Sequence, residues 1–126
     1  MARILIIDDD SLTRNFLTDA CEQFMGHETA QARNLEEALE LTASFSPDAI
    51  LLDQRLGEHN AGDYLKAVAE TIPYAVKTPK WIVSGERPLD WDEELMKSNG
   101  VAGYFVKPCR MDELKAALDA ALGRDK

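Results

Sequence analysis

Three carboxylates in a row, Asp8-Asp9-Asp10, follow directly on the apolar run Ile4-Leu5-Ile6-Ile7. A second apolar run, Ala49-Ile50-Leu51-Leu52, also ends on a carboxylate, Asp53. A third, Tyr104-Phe105-Val106, ends on Lys107-Pro108. Acids brought close together repel one another, so they are costly unless a cation or a function holds them. A group of carboxylates is a hard, all-oxygen donor set that suits Mg²⁺ or Mn²⁺, whereas zinc prefers His and Cys. Neither His27 nor His59 stands at the end of such a run. A carboxylate is also a nucleophile towards phosphorus, giving an aspartyl phosphate. Phosphoryl transfer asks mainly for positioning and charge neutralisation. A divalent ion and Lys107 supply the charge, and the Ser84 hydroxyl supplies a hydrogen bond. The inventory is that for moving a phosphoryl group onto Asp53.

Short apolar runs alternating with helical periodicity place these residues. Residues 3–7 read as a buried strand. From Ser11 to Met25, Leu12, Phe16, Leu17, Ala20, Cys21 and Phe24 fall on one helical face. Asp10 or Ser11 caps that helix and Gly26 suits its end. Residues 27–32 are a weak strand near an edge. Asn34 caps a helix whose inner face is Leu35, Ala38, Leu39, Thr42 and Phe45, before Pro47. Asp48 to Leu52 is the most buried-looking strand, followed by a polar, glycine-containing loop from Gln54 to Gly62. Leu65, Val68, Ala69 and Ile72 line the next helix, stopped by Pro73. Lys80 to Ser84 is the fourth strand, Pro88 to Asn99 a loosely patterned helix, and Ala102 to Val106 the fifth strand. Asp112 to Leu122 closes the chain as a helix with Leu114, Ala117, Leu118, Ala121 and Leu122 inward.

Strands alternating with helices imply an α/β fold, a doubly wound parallel sheet covered on both faces. Right-handed crossovers leave few arrangements, and the flavodoxin-like order 2-1-3-4-5 fits best. It sets the switch point between the first and third strands. Asp8, Asp9 and Asp53 then converge at that crevice, with Ser84 and Lys107 on the same edge of the sheet.

Composition narrows the function. The 126 residues are read as one domain, with 45% hydrophobic and 29% charged residues, the profile of a soluble globular chain. A net charge of -9 argues against nucleic-acid binding, which needs Lys and Arg against phosphate. No apolar stretch approaches the ~18 residues of a membrane span. Met1-Ala2-Arg3 enters a strand at once, leaving no room for a signal peptide. Cys21 and Cys109 are unpatterned and read as reduced thiols of a cytoplasmic protein. No glycine-rich phosphate loop follows the first strand and no G-x-x-x-x-G-K-[ST] occurs, which disfavours nucleotide binding.

At these residues the chain resembles the receiver domain of bacterial two-component response regulators, the family of the chemotaxis regulator CheY. The marks are Ile-Ile-Asp-Asp after the first strand, Leu-Leu-Asp after the third, Val-Ser-Gly after the fourth and Val-Lys-Pro after the fifth. Four matches in order at the right strand ends are specific where any one alone is weak. The resemblance spans essentially the whole chain, residues 1–126. It implies that Asp53 is the phosphoacceptor and that Asp8 and Asp9 hold Mg²⁺, with the backbone carbonyl of Arg55 a further ligand. It implies that Ser84 is the switch residue that binds a phosphoryl oxygen and that Lys107 pairs with the phosphoryl group. Pro108 is then expected to follow a cis peptide bond. Tyr104 matches the aromatic residue that moves inward when Ser84 engages the phosphate, and Gly85 leaves the approach of the donor open. Arg55 and Glu86, two residues beyond Asp53 and Ser84, match positions that tune the rate of self-dephosphorylation.

Such a domain is a phosphoacceptor, not a separate enzyme. Its implied partners are a sensor histidine kinase or phosphotransfer protein, and an effector bound through the fourth helix, fifth strand and fifth helix; a homodimer is left open. The chain also departs from the family pattern. Gly57 stands where proline is frequent, and the stretches Pro73 to Lys80 and Arg87 to Asp92, the latter with Trp91, are longer than expected. Two other readings stand beside this one. Asp8-x-Asp10 fits the opening of haloacid-dehalogenase-type phosphatases, although no late acidic pair follows Lys107 at a strand end. A phosphate-independent docking module is the third, disfavoured by the complete acid and lysine set. Singly, Asp10 reads as a helix cap, Trp81 as core, Trp91 as a candidate contact residue, and His27 and His59 as surface.

Overall fold

The computed structural model describes residues 2–85 and 92–123. Its sheet has five strands: β1 (Arg3–Ile7), β2 (Glu28–Ala32), β3 (Ala49–Asp53), β6 (Lys80–Ser84) and β7 (Val101–Val106). All pair in parallel in the order β2-β1-β3-β6-β7, which is the expected 2-1-3-4-5. The two remaining strands, β4 (Arg55–Leu56) and β5 (His59–Asn60), form a small antiparallel hairpin inside the segment read as loop. Leu56 of that hairpin is buried, so the segment is anchored rather than wholly polar.

Every residue of β3 and β6 is buried, as befits central strands of a sheet covered on both sides. Successive side chains point to opposite faces, and the apolar residues divide accordingly. Leu5, Ile7, Ile50, Leu52 and Ile82 face α2 (Leu35–Ser44) and α3 (Ala61–Thr71). Ile4, Ile6, Leu51, Trp81 and Val83 face α1 (Ser11–Asp19) and α5 (Met111–Leu122). Each of the larger side chains wholly removed from water contributes about 1.5–3 kcal/mol.

Caps set the helix starts. Asp10 accepts from Thr13 N–H at 3.3 Å, Asn34 from Glu37 N–H at 2.8 Å, and Asn60 forms a reciprocal capping box with Asp63. Asp92 caps α4 (Glu93–Ser98), a shorter helix than the sequence suggested; residues 88–91 of that expectation, including Trp91, lie outside the described residues.

Several inner-face assignments are corrected. The first helix passes into a π-helical turn, Ala20–Phe24. Leu17, Ala20 and Cys21 are buried, but Leu12, Phe16 and Phe24 are exposed. The burying face runs through 17, 20 and 21, about 100° away from Leu12 and Phe16, and the wider π turn carries Phe24 off it. Ala69 and Ala121 are exposed as well. Tyr64 takes the inner place on α3, fully buried, its hydroxyl 2.6 Å from Thr42 Oγ1. Trp81 is core, as expected. His27 is not a surface residue: it is 5% exposed, and its Nδ1 accepts from Ala2 N–H at 3.2 Å. His59 is half-exposed beside Asp63.

Candidate functional site

Strand register brings the chemistry-bearing residues together. Ile7 is level with Leu52, and Asp53 with Val83, so Asp8 and Asp53 leave adjacent strands at the same edge. Ser84 is level with Val106, and Lys107 N–H donates to Ser84 O at 2.7 Å. The Lys107-Pro108 peptide is cis, as expected.

Asp8 is 1% exposed; its N–H donates to Ala32 O at 3.0 Å, and its Oδ1 accepts from Asp10 N–H at 2.8 Å. Its Oδ2 faces Lys107 Nζ at 3.0 Å, the same ammonium that lies 3.3 Å from Asp53 Oδ1. Asp9 is exposed and accepts from Gly57 N–H at 3.2 Å, tying the acidic run to the β4–β5 turn. One oxygen from each of Asp8, Asp9 and Asp53 lies within 4.8 Å of the others.

The electrostatics favour a cation. At 4.8 Å and an effective dielectric constant of about 20, two carboxylates repel by about 3–4 kcal/mol. Burial, then the charge of Asp8, raises the Asp53 pKa to about 6 against the opposing pull of Lys107. Burial pushes Lys107 down, but its ion pairs with Asp8 and Asp53 outweigh that and leave it above its usual value. One ammonium offsets one of three negative charges; a divalent ion would offset the rest. The donors are all hard oxygens, two of the three acids are buried, and Asp8 Oδ2 receives no well-directed hydrogen bond among the described residues. The set fits a metal ion of the Mg²⁺ type.

Comparison with known proteins decides the family. A family model, Response regulator receiver domain, matches residues 4–119. The chain belongs to the response regulator receiver family. Regulatory protein AtoC of Escherichia coli (strain K12) is 33% identical over 120 residues, covering 95% of this chain and 25% of AtoC. Response regulator MprA of Mycobacterium tuberculosis (strain ATCC 25177 / H37Ra) is 34% identical over 127 residues, covering 98% of this chain and 52% of MprA. The chain therefore spans a quarter to about half of the length of these relatives. Among solved structures, chemotaxis response regulator CheY4 of Vibrio cholerae superposes with a TM-score of 0.80 at 26% identity, over 96% of this chain and 98% of that one. The Francisella response regulator 1452 receiver domain matches with a TM-score of 0.78 at 26% identity over all of both chains. The chain is a two-component receiver domain, a signalling domain of phosphorelays, and its acidic cluster fits a phosphoacceptor site. No helix among the described residues is long and apolar enough to cross a membrane.

The remaining expected residues take varied places. Ser84 is buried at the end of β6. Tyr104 is half-buried on β7, level with Ile82, and packs against the α2–α3 side of the core. Arg55 is exposed at the start of the hairpin. A Cβ on Gly85 would meet nothing within 4 Å. Glu86 lies outside the described residues. Asp10 stays a cap: its Oδ2 also accepts from Thr13 Oγ1 at 2.7 Å. The phosphatase reading needed Asp8 and Asp10 to share one site, and the Asp10 carboxylate is committed to the helix instead. The sequence reading missed Arg14, whose Nη1 donates to Asp8 O at 2.8 Å. The signal was its place one turn into a helix that starts at the acidic run.

Proposed function

We propose that Asp53 accepts a phosphoryl group from the phosphohistidine of a sensor kinase or phosphotransfer protein, and that the phosphorylated domain signals through α4, β7 and α5. The observation that carries this is the placement of the Asp53 carboxylate at the mouth of the sheet, within 3.3 Å of Lys107 and within 4.8 Å of Asp8 and Asp9 oxygens. The Asp8, Asp9 and Asp53 carboxylates and the backbone carbonyl of Arg55 would hold Mg²⁺. When bound, that ion supplies positive charge to offset an anionic donor and the charge of transfer.

The chain's own residues do the rest. An Asp53 carboxylate oxygen forms the new O–P bond as the donor P–N bond breaks, and the electron pair leaves with the imidazole. Lys107 gives up part of its contact with the carboxylates to pair with a phosphoryl oxygen, and Ser84 donates its hydroxyl to another. Both stand at the ends of neighbouring strands, so these contacts pull β6 and β7 towards the site. Tyr104, two residues before Val106, follows inward. The apolar residues Leu95 and Val106, exposed on α4 and β7, support an output surface there. Arg55, with Glu86, sets how fast water removes the phosphoryl group. The domain works in the cytoplasm, with no chemistry beyond its own phosphorylation and dephosphorylation.

Treatment with acetyl phosphate and then borohydride, which reduces a phosphoaspartyl group, tests the assignment. Peptide mapping should find the reduced residue at position 53. Reduction at position 8 would overturn it.

A further inference from the structure

We propose that Arg14 is a positioning residue for the acidic site, fixing the Asp8–Asp9 peptide so that the Asp9 carboxylate is held opposite those of Asp8 and Asp53. The inference rests on the reading of that cluster as a divalent-cation site.

Arg14 is half-buried on α1. Its Nη1 donates to the main-chain oxygen of Asp8 at 2.8 Å, and its Nε donates to Gln31 Oε1 on β2 at 3.1 Å. Gln31 Nε2 in turn donates to Thr18 Oγ1 on α1 at 2.9 Å, which closes a ring between helix and strand. The guanidinium fork is planar and always charged, so two engaged donors fix its orientation.

The position of the acceptor matters. The Asp8 carbonyl belongs to the peptide whose nitrogen is that of Asp9. The preceding N–H, that of Asp8, is committed to Ala32 O at 3.0 Å. The chain is thus gripped on both sides just before it turns into α1, and that grip sets the direction in which the Asp9 side chain leaves. Asp9 needs such help because it is the exposed member of the three, with a 3.2 Å hydrogen bond from Gly57 on a surface turn.

Arg14 and Lys107 therefore do different things. Lys107 contacts carboxylate oxygens, the atoms a metal would use. Arg14 reaches the main chain behind them and leaves those oxygens open. Partners that orient ligands from outside the metal's own shell typically change affinity by about 10–100-fold when removed.

The test is direct Mn²⁺ binding, with free Mn²⁺ read by electron paramagnetic resonance, alongside thermal unfolding of the metal-free protein. Arg14→Met keeps the aliphatic stem and removes both donors; it should weaken Mn²⁺ binding by about tenfold. Arg14→Lys keeps one donor for the Asp8 carbonyl and should stay within about threefold of wild type. Gln31→Ala breaks the ring but keeps the Asp8 contact, and it should bind Mn²⁺ as wild type does even where its melting temperature falls. Arg14→Met binding as wild type does would overturn the proposal, as would affinity that simply tracks melting temperature across the three variants. Should Arg14→Met not fold, a tenfold loss in Arg14→Lys, or an equal loss in Gln31→Ala and Arg14→Lys, would overturn it. Failure of the wild-type protein to bind Mn²⁺ would sink the cation-site reading itself, a separate outcome.

Discussion

Lys80 offers a sharp test of how the α4 end of the fold is held. Its side chain is fully buried, and no carboxylate pairs with it among the described residues. Its three N–H donors are instead shared among four carbonyls within hydrogen-bond distance: Ala75 and Val76 at 2.9 Å, Thr78 at 3.0 Å and Asn99 at 2.9 Å. It thereby joins the segment after α3 to the end of α4. The cage is tight: at Gly100, where φ is +79°, a Cβ would stand 2.5 Å from Val76 O and 3.1 Å from Lys80 Nζ. Lys80→Met keeps the stem and removes the donors. Ala75 O keeps the N–H of Thr78, 3.2 Å away, so three acceptors lose their partner; at about 1–3 kcal/mol each they cost about 6 kcal/mol if none finds water.

Against this stands the burial of the ammonium, which pushes its pKa from 10.5 to about 8. That difference corresponds to about 3–4 kcal/mol at about 1.4 kcal/mol for each pKa unit, which the Met variant recovers. With some carbonyls rehydrated, the net expected loss is about 2 kcal/mol, read by urea unfolding at neutral pH. The pH dependence has a definite sign. Below about pH 8 both folded and unfolded wild type carry the proton, and the burial cost is paid in full. Between about 8 and 10.5 the folded state has already released it while the unfolded state has not, so wild type gains stability relative to Lys80→Met. The gap between the two proteins should therefore widen as pH rises through that window. A gap below about 1 kcal/mol at pH 7 would refute the cage as a stabilising element. A gap that narrows with rising pH would refute the balance between burial and hydrogen bonding.

Two further predictions concern the site. Lys107→Ala should still be phosphorylated in the presence of Mg²⁺, yet lose the phosphorylation-dependent change in hydrogen exchange across β7 and α5; an unchanged response would refute the coupling role. Arg55→Ala should lose its phosphoryl group faster once the donor is removed. An exposed charge contributes about 0–1 kcal/mol, so the gain in rate should not exceed about fivefold; equal or slower decay would show that this side chain does not guard the site.

The sheet order was legible because its central strands are short, continuous apolar runs, and because acids and a lysine end them where a parallel sheet gathers its strand ends. That logic alone singled out Asp8, Asp53, Ser84 and Lys107, and the structure brings Asp8 and Asp53 to within 3.3 Å of Lys107. Helical periodicity was a poorer guide. On the first helix six apolar positions made a stripe wider than the face the sheet can cover, so Leu12 and Phe16 are left in water, and nothing in the pattern announces the π turn that exposes Phe24. Tyr64 and Lys80 were illegible for another reason. A hydroxyl or an ammonium is buried only when tertiary structure supplies partners, here Thr42 for one and four carbonyls from two loops for the other. Arg14 was overlooked because its acceptor is a main-chain oxygen, so its place one turn into the helix after the acidic run was the sole sign of its role.

The central claim, that Asp53 takes up a phosphoryl group in a site completed by a divalent ion, meets its most direct test in intact-mass measurement. The protein would be incubated with acetyl phosphate and Mg²⁺, and in parallel with chelator. Wild type with Mg²⁺ should gain about 80 Da, one phosphoryl group, while the chelated sample and Asp53→Asn should show no gain. An adduct of that mass persisting in Asp53→Asn, or forming equally in the presence of chelator, would contradict the account.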